Sequence, residues 1–347
     1  MPRRSLDPHF QDEPPEWTKR KHQLLERIVV PSAEKMKGIR NCLALVDGYA
    51  GPNSYGDAIQ GSTVILCRAA QRLAGKGVPV RVFACEPEPD RFQQLVSNLA
   101  PQIESGLLTA CQMSHSEAVP EILRTIEGWP AFVFLDPHGP KDLRLKDDLV
   151  PWLRRPMTDV LGIFMALAAA RACAEAASPK GSPASQATAR AILGDRWREV
   201  DSEIDAHRLF IQELSGLKRF TGLYPLRKKQ TLHRAYAIFG ASDSVHGFHL
   251  LSDAVARDWG ALKDFDFARK PATLFSELDP EDEQQEEFDR LVQLVRPILL
   301  HQPELSGQKL ALALYRSLQS PGSIFGQFVE RDFTRAAQSV RKRAQDG

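Results

Sequence analysis

The sequence predicts an α/β chain organised around a doubly wound, mostly parallel sheet. Short, unbroken apolar runs alternate with stretches of helical apolar spacing from about residue 17 to residue 260. Strands that are apolar on both faces and separated by helices belong to a parallel sheet covered on both sides. Three of the runs also close on an acidic residue, namely Asp47, Glu86 and Asp136. In open sheets of this kind ligands gather at the carboxyl ends of the strands.

The elements follow in order. Residues 1–16 hold Pro2, Pro8, Pro14 and Pro15 among charges and read as a loose arm. From Trp17, Leu24, Leu25, Ile28 and Val29 recur at helical spacing behind Thr18, a residue type that caps helices. Cys42–Val46 is the first strand, Gly61–Leu73 a helix, and Val78–Cys85 a β-rich run. Pro89–Leu99 reads as helix, Leu107–Met113 as strand and Glu117–Ile126 as helix. Ala131–Leu135 is a strand, Lys146–Leu153 a helix, and Asp159–Leu167 another apolar run. Residues 175–188 are rich in Ala, Ser and Pro and read as a flexible loop or linker. Ala235–Phe239 is strand-like and precedes a helical stretch near His246–Trp259, which completes a domain over 17–270.

Residues 271–347 form a separate C-terminal module in this reading. An acidic block over 276–290 leads into helical patterns at Phe288–Leu300 and Ser306–Leu318, a Pro321-Gly322 turn and a basic tail from Arg331. The module is expected to be helical or winged-helix-like, and the winged form could touch nucleic acid. The acidic block repels phosphates, which disfavours that partner. A small helical cap with a solvated charge run is the plainer reading.

Composition narrows the class. With 43% hydrophobic and 26% charged residues, the chain is neither disordered nor fibrous. Lys+Arg is 45 against 44 Asp+Glu, a net charge of +1, which excludes a strongly basic nucleic-acid coat over the whole chain. No apolar run reaches membrane-spanning length, since Val160–Ala170 is broken by Gly162 and ends at Arg171. The first residues are polar rather than a signal core, so a cytoplasmic protein is expected. Cys42, Cys67, Cys85, Cys111 and Cys173 are odd in number and none stand at CxxC spacing. Neither a disulfide framework nor a cysteine metal site is expected.

The chemistry concentrates at the strand ends. Asp47-Gly48-Tyr49-Ala50-Gly51-Pro52-Asn53 follows the first strand. Its glycines let the backbone turn sharply and approach a ligand closely. The spacing is not the GxGxxG that cradles a pyrophosphate, which argues against NAD or FAD. It suits a ligand with an amino-acid moiety and no phosphates, such as S-adenosylmethionine. Glu86 ends the second strand, where a carboxylate can accept from both hydroxyls of a ribose. Asp136-Pro137-His138-Gly139 ends the fourth, and its carboxylate and proline carbonyl could hold an amine; Asp-Pro is also a common turn. His138 is a candidate base near neutral pH. After the third strand an adenine amine would meet Ser116 or His115, with no Asp in Ser114-His115-Ser116.

These residues resemble a known family. The run Trp17-Thr18-Lys19-Arg20-Lys21-His22-Gln23-Leu24-Leu25, then Val46 to Pro52, Tyr55 with Gly61-Ser62, Glu86, and Phe134 to Gly139 is similar to the three-Cys-motif partner protein family (TcmP). The likeness continues at Leu193-Gly194-Asp195-x-Trp197 and at Tyr236 to Gly240. It covers roughly 17 to 260. The resemblance implies a Rossmann-like, class I methyltransferase-like fold, S-adenosylmethionine as ligand, and a radical-S-adenosylmethionine-like three-Cys-motif protein as partner. Two departures stand out: Asn53 replaces the glycine that usually ends the first loop, and His138 replaces an aromatic after Asp-Pro. Asn tolerates positive φ, but its bulk is expected to crowd the loop floor, so that a glycine at 53 should bind the ligand at least as well.

Two readings stay open. In the first, a methyltransferase uses Asp47, Gly48, Tyr49, Ala50, Gly51 and Asn53 for the methionine moiety, Glu86 for the ribose, Ser116 for the adenine edge, and Asp136 with His138 for the acceptor. In the second, the chain keeps the fold as a binding or scaffold partner and transfers nothing. A nicotinamide oxidoreductase fails on the missing pyrophosphate loop.

Overall fold

The computed structural model describes residues 16–55, 58–139, 141–226, 236–267 and 280–345. Residues 1–15 of the expected arm and 271–279 at the start of the C-terminal module lie outside the described residues. The chain opens with α1 (Glu16–Lys37) and β1 (Leu43–Asp47), then a small antiparallel pair, β2 (Ser54–Tyr55) and β3 (Ala58–Ile59), and α2 (Ser62–Ala74). Next come β4 (Val80–Cys85), α3 (Pro89–Asn98), α4 (Ala100–Glu104), β5 (Leu108–Cys111), α5 (His115–Thr125) and β6 (Ala131–Leu135). A π-helical turn at Leu145–Leu149 leads into α6 (Val150–Arg154) and β7 (Thr158–Phe164). Then follow α7 (Ala166–Ala177), α8 (Pro183–Leu193), α9 (Glu203–Ser215), β8 (Phe220–Leu226), β9 (Tyr236–Ser242) and α10 (Val245–Phe267). The last elements are α11 (Pro280–His301), α12 (Gly307–Ser317) and α13 (Glu330–Gln345).

The main sheet has seven strands in the order β5-β4-β1-β6-β7-β9-β8. All pairs from β5 to β7 are parallel, and β9 runs antiparallel to both β7 and β8. The chain winds outward from β1 to β4 and β5, then crosses back to β6 and β7. The winding therefore reverses between β1 and β6, and their carboxyl ends frame the crevice where such sheets bind ligands. This is the doubly wound, Rossmann-like, class I methyltransferase-like fold class that the sequence predicts.

Side-chain alternation divides the interior into two cores, one on each face. Leu43 and Leu45 of β1 and Phe132 and Phe134 of β6 join the core beneath α1, α2 and α10. Ala44, Val46, Ala131, Val133 and Leu135 join the core beneath α5, α7 and α9. Every residue of β1, β6 and β7 is buried, which is why these strands read as continuous apolar runs.

Three sequence expectations change. Thr18 lies inside α1 and does not cap it. Residues 175–188 are not a loop: α7 runs to Ala177 and α8 starts at Pro183, capped by Ser182. Alanine has the highest helix propensity, and Pro at the first helical position is favoured. The edge strand β8 was not anticipated.

The described residues after Ser242 contain helices and no strand, so no wing accompanies the C-terminal helices there. Leu291, Val295, Leu310, Tyr315, Phe325 and Phe333 share the same core as Leu24 and Phe248. Among the described residues, no helix is long and apolar enough to cross a membrane.

Candidate functional site

β1 ends at Asp47, and the chain turns through Gly48–Asn53 towards α2. Gly51 and Asn53 have φ of 64° and 54°, the left-handed region that glycine enters freely and asparagine tolerates. Asn53 also braces the turn. Its amide donates to the Ala50 carbonyl at 2.9 Å and to Thr63 Oγ1 at 3.0 Å, and its Oδ1 accepts from the Val64 N–H at 3.2 Å. The Thr63 hydroxyl in turn donates to Asp47 at 2.7 Å, and Asp47 accepts from the Tyr49 N–H at 3.3 Å. A line of bonds from Asn53 through Thr63 to Asp47 thus joins both ends of the loop to the first turn of α2.

The Asn53 side chain points into the protein, over Gly61, where a Cβ would stand 2.4 Å from its Oδ1. Its three bonds show that the side chain braces the loop from within rather than crowding its ligand side. Asn53→Gly should cost about 1–3 kcal/mol of stability, because the Val64 N–H and the Ala50 carbonyl lose a partner in a dry site. Urea unfolding monitored by circular dichroism measures this. An unchanged midpoint would mean that the loop does not depend on the bonds.

Glu86 directly follows β4 and is 1% exposed. Its carboxylate accepts from the backbone N–H of Glu88 at 2.9 Å and lies beside Gly51 of the first loop. A carboxylate offers about four acceptor sites, so room for two further donors remains. The Ala50 N–H donates to the Cys85 carbonyl at 2.9 Å, and Asn98 of α3 donates to the Pro52 carbonyl at 2.9 Å. The first loop is therefore fastened to β4 and α3 as well as to α2.

Gly48 is required by space. A Cβ there would lie 2.6 Å from Leu135 Cδ2 and 3.0 Å from His115 Nδ1. His115 opens α5 and is buried, and its Nε2 accepts from the Trp152 indole N–H at 3.0 Å. Burial pushes its pKa down to about 3, so the imidazole is neutral. Tyr49 tilts against this ring at 5.8 Å, and its hydroxyl donates to the Asp142 carbonyl. Asp148, in the π-helical turn, accepts from the Arg144 N–H at 2.6 Å, and burial raises its carboxyl to about 7. Ser116 lies half-buried in the first turn of α5, its hydroxyl 3.2 Å from that of Ser114. His115 thus sits in the core behind Gly48, whereas Ser116 stays at the helix end.

The end of β6 holds groups that sequence reasoning missed. Asp136 forms an ion pair with Lys21 of α1, with both side chains largely buried. His22 packs edge-on to Tyr55 at 6.2 Å. Burial and the adjacent Lys21 lower the His22 pKa to about 4, and burial with Asp136 raises that of Tyr55 to about 12. His138 is exposed, and its pKa is lowered by partial desolvation and by Arg91.

At its other end, α1 is anchored by Lys35, 3.1 Å from the Asp159 carboxylate, which also accepts from Ser242 at 2.6 Å. Lys21 and Lys35 are 14 positions apart, about 21 Å along a helix. That is roughly the length of the strands it crosses, so α1 brings Lys21 to the carboxyl edge. The only hint in the sequence was the Lys21-His22 pair inside the first resembling run.

Burial, only partly offset by hydrogen bonds from Ser62 and Thr63, pushes the Asp47 carboxyl up to about 6. In the unfolded chain it titrates near 4. Between those pH values the folded state holds a proton that the unfolded state has released. The resulting contribution to stability is full below pH 4 and is lost as pH rises through 6. The stability of the wild type relative to Asp47→Asn should therefore fall between pH 4.5 and 7.5. Thermal melts of both proteins across that window test it; a constant difference would mean that Asp47 is ionised throughout.

Neither a family model nor a curated protein matches the chain. Among solved structures, it is similar to the O-methyltransferase TomG from Streptomyces achromogenes, determined with S-adenosylmethionine. The identity is 15%, over 65% of this chain and 79% of that one, with a TM-score of 0.36. It is also similar to an O-methyltransferase from Bacillus cereus in complex with S-adenosylhomocysteine. There the identity is 13%, over 70% of this chain and 84% of the other, with a TM-score of 0.34.

Proposed function

We propose that the chain binds S-adenosylmethionine at the β1–β6 crevice and acts as a methyltransferase on an acceptor held beside Asp136. The observation that carries this reading is the shared fastening of two strand ends. The Cys85 carbonyl at the end of β4, one residue before Glu86, accepts from the Ala50 N–H of the loop that Asp47 and Asn53 brace from beneath. The donor set fits a nucleoside with an amino-acid moiety. Glu86 has acceptor capacity for the ribose hydroxyls, the loop Gly48–Gly51 takes the methionine portion, and Ser116 lies towards the base. Because Glu86 is closed off from solvent, binding must open the crevice. The cofactor supplies an electrophilic methyl group on sulfonium sulfur. The chain then contributes alignment, since methyl transfer depends on placement more than on acid–base help.

One observation favours the second reading, a scaffold that binds without transferring. Asp136 already holds an ammonium group, that of Lys21, where an amine acceptor would have to bind. The proposed partner in either case is the three-Cys-motif radical-type protein implied by the motif resemblance. Incubation with methyl-labelled S-adenosylmethionine and a cell extract, with and without that partner, separates the two. A labelled product supports transfer. Donor binding with no label in any fraction supports the scaffold.

A further inference from the structure

Cys85 and Cys111 end the adjacent parallel strands β4 and β5 and are paired residues in their register. In-register residues of neighbouring strands lie about 4.7–4.9 Å apart and point to the same face. That spacing falls inside the Cα separation of about 4.4–6.8 Å that a disulfide accepts. Both side chains belong to the core beneath α5, with Cys85 fully buried and Cys111 half-buried. The two thiols interact within that core. The contact lowers the pKa of Cys111 and raises that of Cys85, so the more reachable sulfur is also the better nucleophile. Sequence spacing gave no sign of this pair, because 26 positions separate the two residues.

The pair is coupled to the site by the backbone. The Glu86 N–H donates to the Cys111 carbonyl at 3.1 Å, and the Ala50 N–H donates to the Cys85 carbonyl at 2.9 Å. A change in the separation of the two strand ends therefore moves Glu86 and the first loop together.

We propose that Cys85 and Cys111 are a peroxide-oxidisable thiol pair whose disulfide closes the carboxyl ends of β4 and β5 and weakens nucleoside binding at Glu86. The Cys111 thiolate attacks a hydroperoxide oxygen; the S–O bond forms, the O–O bond breaks, and water leaves once protonated. The Cys85 sulfur then attacks the sulfenic sulfur of Cys111; the S–S bond forms, the S–O bond breaks, and the departing hydroxide takes the Cys85 proton as a second water. Two thiols lose two electrons, and one hydrogen peroxide becomes two waters. The disulfide stands on the thiol geometry alone, whereas its effect on binding rests on the proposed cofactor site.

Hydrogen peroxide treatment of the full chain, followed by alkylation, trypsin digestion and non-reducing mass spectrometry, tests the pair. The expected product is a peptide of residues 82–91 linked to one of residues 92–124, released by dithiothreitol, with Cys42, Cys67 and Cys173 alkylated. In Cys85→Ser the resolving thiol is gone, and Cys111 should accumulate as sulfenic or sulfinic acid. Peroxide-treated, folded wild type in which both cysteines remain alkylated, or in which Cys111 overoxidises without a link, overturns the proposal. Calorimetry with S-adenosylhomocysteine reads the second part: affinity should fall at least tenfold on oxidation and return on reduction. A linked protein with unchanged affinity would overturn the coupling. Reduced protein that binds no S-adenosylhomocysteine would remove the cofactor reading and, with it, the proposed effect on binding, while the peptide link is judged separately.

Discussion

Glu86→Ala should weaken S-adenosylhomocysteine binding by about ten- to hundredfold, or about 1.5–3 kcal/mol, the scale of hydrogen bonds lost to a charged acceptor. Two losses combine. The ribose hydroxyls lose their acceptor, and the Glu88 N–H loses the carboxylate that holds the turn after β4. Glu86→Gln separates these contributions, because its amide oxygen can still accept from one backbone donor while the negative charge is gone. The alanine variant should therefore melt lower than the glutamine variant, with both binding more weakly than wild type. Calorimetry and thermal melts on the same preparations measure the two effects. Unchanged affinity in a folded Glu86→Ala protein would move the ribose elsewhere.

Asp136→Asn should reduce turnover on the order of a hundredfold while leaving cofactor affinity within about twofold, as expected for lost alignment of an acceptor. The Lys21 ion pair sharpens the expectation. An amine acceptor must displace the Lys21 ammonium from Asp136, so Lys21→Met should lower the apparent KM for the acceptor and leave cofactor affinity unchanged. Methyl transfer from labelled donor, measured at several acceptor concentrations for the three proteins, resolves KM from kcat. If Asp136→Asn turns over at the wild-type rate, Asp136 has no part in acceptor alignment.

The strand ends were legible because burial on both faces leaves its mark as apolar runs, and a carboxylate closing such a run stands at the crevice. Asp47, Glu86 and Asp136 were found in this way. The covering groups were not. Lys21 reaches Asp136 across 115 positions, by way of a helix whose apolar face reveals packing and not destination. Residues 175–188 have the alanine- and serine-rich composition of a linker, yet alanine's helix propensity and the Ser182-Pro183 start signal place most of them in α7 and α8.

β8 was obscured by Gly222 and Pro225, both breakers in a central strand. At the sheet edge a proline is tolerated. Gly222 makes room for Phe325, whose Cβ would lie 2.3 Å from any Cβ at 222. Only the three-dimensional arrangement supplies that reason. The role of Asn53 was half visible: its tolerance of positive φ followed from residue type, but its three bonds required the position of α2.

The central claim is that the Gly48–Asn53 loop and Glu86 form one nucleoside site. Isothermal titration of the reduced, full-length chain with S-adenosylmethionine and with S-adenosylhomocysteine tests it most directly. The account predicts saturable heat with one site per chain for both ligands, and a loss of that heat in Glu86→Ala. No heat and no thermal shift at millimolar ligand would contradict it.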